Sequence, residues 1–298
     1  MNADEERVET AGGGFGQTAL NFVRARAART LGIRDSLSTA AVAMGHLLLT
    51  RGPKSGQDLV SDEAPIIVIG MHRSGTSLVS RLLERGGVYV GGSWLDENHE
   101  SVHFLRANRA MFGEGPRMLR DFGWTAPKTD EFILERRGYA EQAARQLSAF
   151  FADRTNEDAW GWKDPRNTIT LPVWLSIFPQ ARVVNVLRDG RSVALSLTDR
   201  NRLHPAFALG LWAHYVTRAE KNLEAVPDTR KITIRFEELA EDPESLLGLL
   251  YEFAGCTSSG DLRTLTADVI PDRASARLDD PRIADMGDHP LLARLGYT

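Results

Sequence analysis

Cysteine is nearly absent: Cys256 is the only one among 298 residues. An intrachain disulfide is impossible, a cysteine-built zinc site is excluded, and the usage fits a reducing, cytoplasmic compartment. Long apolar runs are missing too. A membrane-spanning helix needs about 18 to 20 consecutive apolar residues. The best candidate, 40–50 (AAVAMGHLLLT), is short and carries His46. It also lies too far behind the acidic start MNADEE to serve as a secretory signal. There is no excess of basic charge. The 36 Lys and Arg face 40 Asp and Glu, a formal net charge of -4. That balance speaks against general binding to nucleic acid, while leaving room for a local basic pocket. No internal repeat and no low-complexity run occurs. What remains, 42% hydrophobic and 26% charged residues, is ordinary globular usage in a chain long enough to bury a sizeable core.

Residues 51–64 (RGPKSGQDLVSDEA) are polar and rich in turn formers, which marks a boundary. It separates an N-terminal helical extension, 1–60, from a single domain, 61–298. Within the extension, 19–34 carries four arginines and no acid. It reads as an exposed amphipathic helix, with peripheral membrane contact as the alternative.

Three strand-helix units punctuate the domain. Pro65 to Ile69 is a short continuous apolar run, expected of a strand buried on both faces. The loop GMHRSG (70–75) follows, then a helix with Leu78, Val79, Leu82 and Leu83 on one side, stopped by Gly86-Gly87. The second unit is the strand 181–187, Arg188-Asp189-Gly190, and a helix with Val193, Ala194 and Leu197. The third is the strand 231–236, followed by a helix that Asp242 caps and Pro243 opens. Residues 130–152 read as one long amphipathic helix and 205–225 as another. Strands alternating with helices predict an α/β fold, a parallel sheet with helices on both faces.

Chemistry begins at the first loop. A glycine-bounded turn from a buried strand into a helix aims backbone N–H groups at one point, where the helix dipole adds positive potential. Gly70 and Gly75 permit the tight curvature. Ser74, Thr76 and Ser77 offer hydroxyls and Arg73 a fork of donors. The glycine spacing is that of a nucleotide P-loop, but Thr76 stands where that motif has lysine. A triphosphatase needs that lysine on the outer phosphates. The loop therefore suits a phosphate-containing donor used without triphosphate hydrolysis. The plain alternative is an ordinary strand-to-helix turn. At the second unit, Arg188 ends a buried strand, where ligands of open α/β sheets bind. Ser192 and Ser196 share a face of the next helix. Arg188 and Ser196 could clasp one phosphate with Ser192 as a further donor, or Arg188 could sit in a surface ion pair. Two anion sites on neighbouring strand ends describe a nucleotide with phosphates at separate positions.

The segments PIIVIGMHRSGTSLVSRLL (65–83) and VVNVLRDGRSVALSL (183–197), with WGWKDPR (160–166) and IRFEELAEDPESLL (234–247), resemble the sulfotransferases. The likeness is to their bacterial and membrane-type branch rather than the cytosolic one. The resemblance implies a P-loop-like, doubly wound sheet of mostly parallel strands flanked by helices. It implies sulfuryl transfer from 3′-phosphoadenosine 5′-phosphosulfate to an acceptor hydroxyl on a carbohydrate, glycolipid or small natural product, with no metal. Arg73, Ser74, Gly75, Thr76 and Ser77 would hold the 5′ end of the donor, and Arg188 and Ser196 its 3′-phosphate. Lys163 would approach the transferring group, where a fixed cation lowers the barrier as charge builds on the leaving oxygens; otherwise it is a surface lysine after a strand end. Arg166 is a weaker candidate. The pattern from Glu100 to Asn108 makes Glu100 the first choice for general base, with His99 and then His103 behind it. The basic glycine-containing loop that the cytosolic branch places near its end is absent. Arg273 and Arg277 are weak substitutes for it. Trp94, Phe104, Phe112, Phe122 and Trp124 could stack on an acceptor or belong to the core. A P-loop small-molecule kinase and a non-catalytic nucleotide-binding protein are the competing readings.

Overall fold

The computed structural model describes residues 59–114, 125, 128–154, 159–256 and 279–297. Apart from Leu59 and Val60, the expected N-terminal extension and its Arg-rich helix lie outside the described residues, as do Phe122, Trp124, Arg273 and Arg277. In chain order the elements are β1 (Ile66–Gly70), α1 (Thr76–Arg85), α2 (Val102–Met111), α3 (Asp130–Leu134), α4 (Arg137–Arg145), α5 (Leu147–Phe150) and β2 (Gly161–Lys163). There follow α6 (Asn167–Ile177), β3 (Arg182–Leu187), α7 (Gly190–Asn201), α8 (Pro205–Leu223), β4 (Lys231–Arg235), α9 (Phe236–Glu241), α10 (Pro243–Ala254) and α11 (Pro290–Arg294).

The four strands form one parallel sheet in the order β2–β1–β3–β4. The apolar run of β1 fits its central place, with all five residues buried. Successive side chains of a strand point to opposite faces. Ile67 and Ile69 therefore join a large core with Trp162 and Val183, covered by α2, α4, α6 and α8. Ile66 and Val68 join a smaller one with Val184, Val186 and Ile234, covered by α1 and α10. The sheet is thus sandwiched between helices, as the alternation of elements predicted.

Several ends follow their local chemistry. Asp242 accepts from the Ser245 N–H and caps α10, Pro243 takes its first turn, and Gly255 ends it at φ 66°. Pro172 lies inside α6 and cannot donate to the Thr168 carbonyl one turn back. The Asn222 amide of α8 donates to that carbonyl at 2.7 Å instead, so the gap becomes a tie between two helices.

Two expectations are corrected. The single helix over 130–152 is three short ones, α3, α4 and α5. Arg136 ends the first: its guanidinium lies over the Phe132 ring at 3.7 Å and donates to the Phe132 carbonyl, satisfying an orphan acceptor of the last turn. Apolar periodicity cannot register such a break. Phe236 opens α9 rather than closing β4, which sets its ring against Gly75 of the glycine-bounded loop.

Candidate active site

The carboxyl ends of all four strands contribute to one region. From β1 the chain runs through Gly70 (φ 137°), Arg73 (φ 72°) and Gly75 (φ 94°) before α1 begins at Thr76. A Cβ on Gly70 would stand 2.5 Å from the Val186 carbonyl oxygen, and one on Gly75 would stand 2.3 Å from Phe236 Cδ2. Both positions therefore need glycine for space as well as for φ. Thr168 fixes the start of the loop, accepting from the Gly70 N–H at 2.9 Å and donating to its carbonyl at 3.2 Å. No side chain caps α1 and its first turn holds no acid, so the helix end keeps its positive potential.

The second cradle adjoins the first. Arg188, at the end of β3, donates through Nη1 to the Arg73 carbonyl at 3.1 Å, and its guanidinium stacks over the Phe236 ring at 4.3 Å. Arg73 Nε donates to Ser196 Oγ at 2.8 Å. The structure thus brings Arg73, Arg188 and Ser196 together. Ser192 lies on the same stretch of α7 and is buried. Burial lowers the Arg188 pKa, against the opposing pull of Glu237.

Lys163 is no surface lysine. It is 2% exposed, and its ammonium donates to the Asn98 carbonyl (2.7 Å), Ser77 Oγ (3.0 Å) and Glu100 Oε1 (3.1 Å). Ser77 Oγ donates in turn to the Asn98 carbonyl at 2.8 Å. The 96–100 loop is held by Asp96, whose Oδ1 accepts from the Asn98 and Glu100 N–H groups at 2.9 Å each. Burial raises the Glu100 pKa above that of an ordinary carboxylate, while Lys163 pulls the other way. Behind this pair, Arg166 grips Glu114 with two N–H groups at 3.0 and 3.1 Å and donates to Asp164. Burial opposes its charge, but Asp164 and Glu114 outweigh it and the pKa rises.

The other candidates fall elsewhere. His99 adopts φ 60° with its Nε2 3.2 Å from Glu84, and it does not line the cavity. His103 is packed against Phe104 and Phe150 and bonds the Ala143 carbonyl, so burial lowers its pKa. Asn108 is fully buried, joined to Asp164, Asn167, Thr170 and Trp174. Phe104, stacked on Trp162 at 4.0 Å, and Phe112 are core residues, and Trp94 is half-buried against the core.

A cavity of about 190 Å³ opens between these groups, with Arg73, Thr76, Ser77, Glu100, Lys163 and Arg166 in its wall. Its wall also holds residues that sequence reasoning missed: His72, Asn98, Arg109 and Arg200. Arg200 donates to Asn98 Oδ1 at 3.1 Å. Its signal was available, since it stands four residues beyond Ser196 and eight beyond Ser192, on one helix face. His72 lies inside the 70–75 loop itself. Its pKa is held well below the ordinary value by burial and then by Arg166, Lys163, Arg73 and Arg200, all of which disfavour the imidazolium.

Similar proteins bear on this geometry. The profile of the sulfotransferase family matches residues 65–259. The omega-hydroxy-beta-dihydromenaquinone-9 sulfotransferases Stf3 of Mycobacterium bovis and Mycobacterium tuberculosis are each 28% identical over 107 residues, 31% of this chain. The chain spans 28% of the length of these curated relatives. Among solved structures, the sulfotransferase domain from the curacin biosynthetic pathway has a TM-score of 0.51 at 16% identity. It covers 80% of this chain and 99% of that domain. The sulfotransferase domain of the Synechococcus PCC 7002 olefin synthase has a TM-score of 0.48 at 18% identity, covering 74% and 90%. The curacin-pathway likeness concerns the fold: a four-stranded parallel sheet flanked by helices. Among the described residues no helix is long and apolar enough to cross a membrane.

Proposed function

The chain belongs to the sulfotransferase family, and from that premise we propose that it moves a sulfuryl group from 3′-phosphoadenosine 5′-phosphosulfate to an acceptor hydroxyl. One observation carries the reading: the buried Lys163 ammonium lies 3.0 Å from Ser77 and 3.1 Å from Glu100. A single cation thereby links the phosphate loop to a carboxylate that can act as base.

The residues present fit the donor. Gly70 and Gly75 carry the loop through its positive-φ turns, and the Thr76 and Ser77 N–H groups that open α1 have no helix carbonyl to bond. The loop backbone with Arg73, Ser74, Gly75, Thr76 and Ser77 would hold the 5′ end; Arg188 and Ser196, with Ser192, would hold the 3′-phosphate. When bound, the donor supplies the sulfuryl group carried on its 5′-phosphate. Lys163 would offer a fixed cation, needing no reorganisation, to the negative charge that builds on the leaving phosphate oxygen. Glu100 accepts the proton of the attacking hydroxyl, and its raised pKa makes it a stronger base than a solvated carboxylate. His99, turned toward Glu84, is placed poorly for that role.

The acceptor belongs to the polar side of the possible range. Leu105, Pro165 and Leu197 are the only apolar residues among the described ones lining the cavity, which favours a carbohydrate-like hydroxyl compound over a bulky lipid. Cys256, the chain's single cysteine, supports cytoplasmic placement.

Calorimetry with adenosine 3′,5′-bisphosphate and with ATP-magnesium, followed by radiolabelled sulfuryl transfer to a panel of sugars and alcohols, tests the proposal. Binding of the bisphosphate together with label transfer is the expected result. Preference for ATP-magnesium would replace the proposal with a kinase. Tight bisphosphate binding without transfer to any acceptor would point to a non-catalytic binding protein.

A further inference from the structure

The loop that carries Arg188 is held by residues far along the chain. Tyr297, only 7% exposed, donates from its hydroxyl to Glu237 Oε2 at 3.1 Å. The other oxygen, Glu237 Oε1, accepts from the Asp189 N–H at 2.9 Å, the residue next to Arg188. Arg235 lies over the Tyr297 ring at 4.4 Å and donates to the Leu295 carbonyl at 2.9 Å. Between Arg235 and Glu237 stands Phe236, the ring on which the Arg188 guanidinium rests. At the near end of the segment, His289 faces the Trp212 ring edge-on at 6.3 Å, and Trp212 Nε1 donates to the Arg188 carbonyl at 3.0 Å. An ion pair between Arg294 and Glu220, 2.7 Å, ties the middle of the segment to α8.

Arg188 is thus fixed at its backbone from two directions and at its guanidinium from beneath, and residues 289–297 touch the two backbone supports, Glu237 and Trp212. A fork-shaped cation recognises phosphate best when its plane is already set, and the ordering of a mobile arginine would otherwise be subtracted from affinity. Tyr297 does not line the cavity, and its hydroxyl reaches the Arg188 loop through Glu237.

We propose that residues 289–297 brace the Arg188 loop, with Tyr297 as the positioning residue that sets this arginine for the donor's 3′-phosphate. This rests on the reading of Arg188 given above. The Lys163–Glu100 pair is bonded to Ser77 and Asn98 rather than to this segment, and Arg188 meets the 70–75 loop at the Arg73 carbonyl, so the effect falls chiefly on recognition of the 3′-phosphate.

Titration calorimetry on the full chain, with adenosine 3′,5′-bisphosphate and adenosine 5′-phosphate, provides the test. Tyr297→Phe is expected to weaken bisphosphate binding roughly three- to tenfold, the size of one hydrogen bond, and to leave the monophosphate unchanged. In an Arg188→Ala background the same substitution should have no further effect. Equal weakening of both nucleotides would mean a merely structural role and overturn the proposal, as would no weakening of either. If Arg188→Ala reduces the preference for the 3′-phosphate and Tyr297→Phe does not, only the brace fails. If Arg188→Ala leaves that preference intact, the phosphate assignment and the brace fall together.

Discussion

The Lys163–Glu100 pair yields the sharpest prediction about how site and fold are coupled. Both side chains are almost wholly buried, at 1% and 9% exposure, and their charges meet at 3.1 Å. Lys163→Met keeps the length of the stem and deletes the ammonium. It leaves the Glu100 carboxylate without its nearest cation and removes the Lys163 donor from Ser77 Oγ and from the Asn98 carbonyl, which keeps the Ser77 hydroxyl. Breaking one side of a buried pair costs about 3–5 kcal/mol. In a domain of this size each kcal/mol lowers the melting temperature by about 2–4 °C, so a fall of roughly 6–20 °C is expected. Glu100→Gln should also destabilise, by orphaning the ammonium. Lys163→Met with Glu100→Gln together removes both charges, and the double variant should lose less than the sum of the singles by about 2 kcal/mol or more. The pH dependence has a definite sign. In Lys163→Met the folded-state pKa of Glu100 lies above its unfolded value, because burial then acts unopposed by its closest cation. The variant is therefore least impaired below the unfolded carboxyl pKa, and its deficit grows as pH rises through the folded one. Urea unfolding followed by circular dichroism at about pH 5 and about pH 8 measures both effects. Strictly additive losses, or a deficit that shrinks with rising pH, would refute the buried pair.

Four further outcomes are expected. Glu100→Gln should lower sulfuryl transfer by about 10²–10⁴-fold, the usual yield of a general base, while bisphosphate affinity measured by calorimetry stays within a small factor. In the native protein kcat/KM should rise with pH through the Glu100 pKa, with an acid limb above the ordinary carboxylate range because burial raises it; a limb at or below that range would exclude Glu100 as the base. Arg188→Ala should weaken bisphosphate binding by about 1.5–3 kcal/mol, or roughly 10- to 100-fold; undiminished affinity would remove the 3′-phosphate assignment. Gly75→Ala should abolish detectable nucleotide binding and cost about 2–5 kcal/mol of stability, because φ 94° disfavours a side chain and the new Cβ falls 2.3 Å from the Phe236 ring. Adding Phe236→Ala should recover the stability lost to overlap but not that lost to φ, which paired unfolding curves can separate.

By itself the sequence determined whatever depends on neighbours along the chain. The apolar run of β1, the glycine-bounded loop after it, the Asp242-Pro243 start of α10 and the stop at Gly86 are short-range signals, and each stands where it was expected. The strand-helix alternation was enough to specify a parallel sheet, since no other arrangement buries such strands on both faces. Only the tertiary structure decided which side chains lose water. Lys163, one residue beyond a tryptophan in a charged-looking KDPR run, is 2% exposed because β2 pairs with the central strand and its end is closed over by the 96–100 loop. The convergence of Arg200 on Asn98 joins residues 102 positions apart, and the tie from Tyr297 to Glu237 joins residues 60 apart. Such contacts leave no local pattern: periodicity reports which face of an element is apolar, and packing alone selects what meets it.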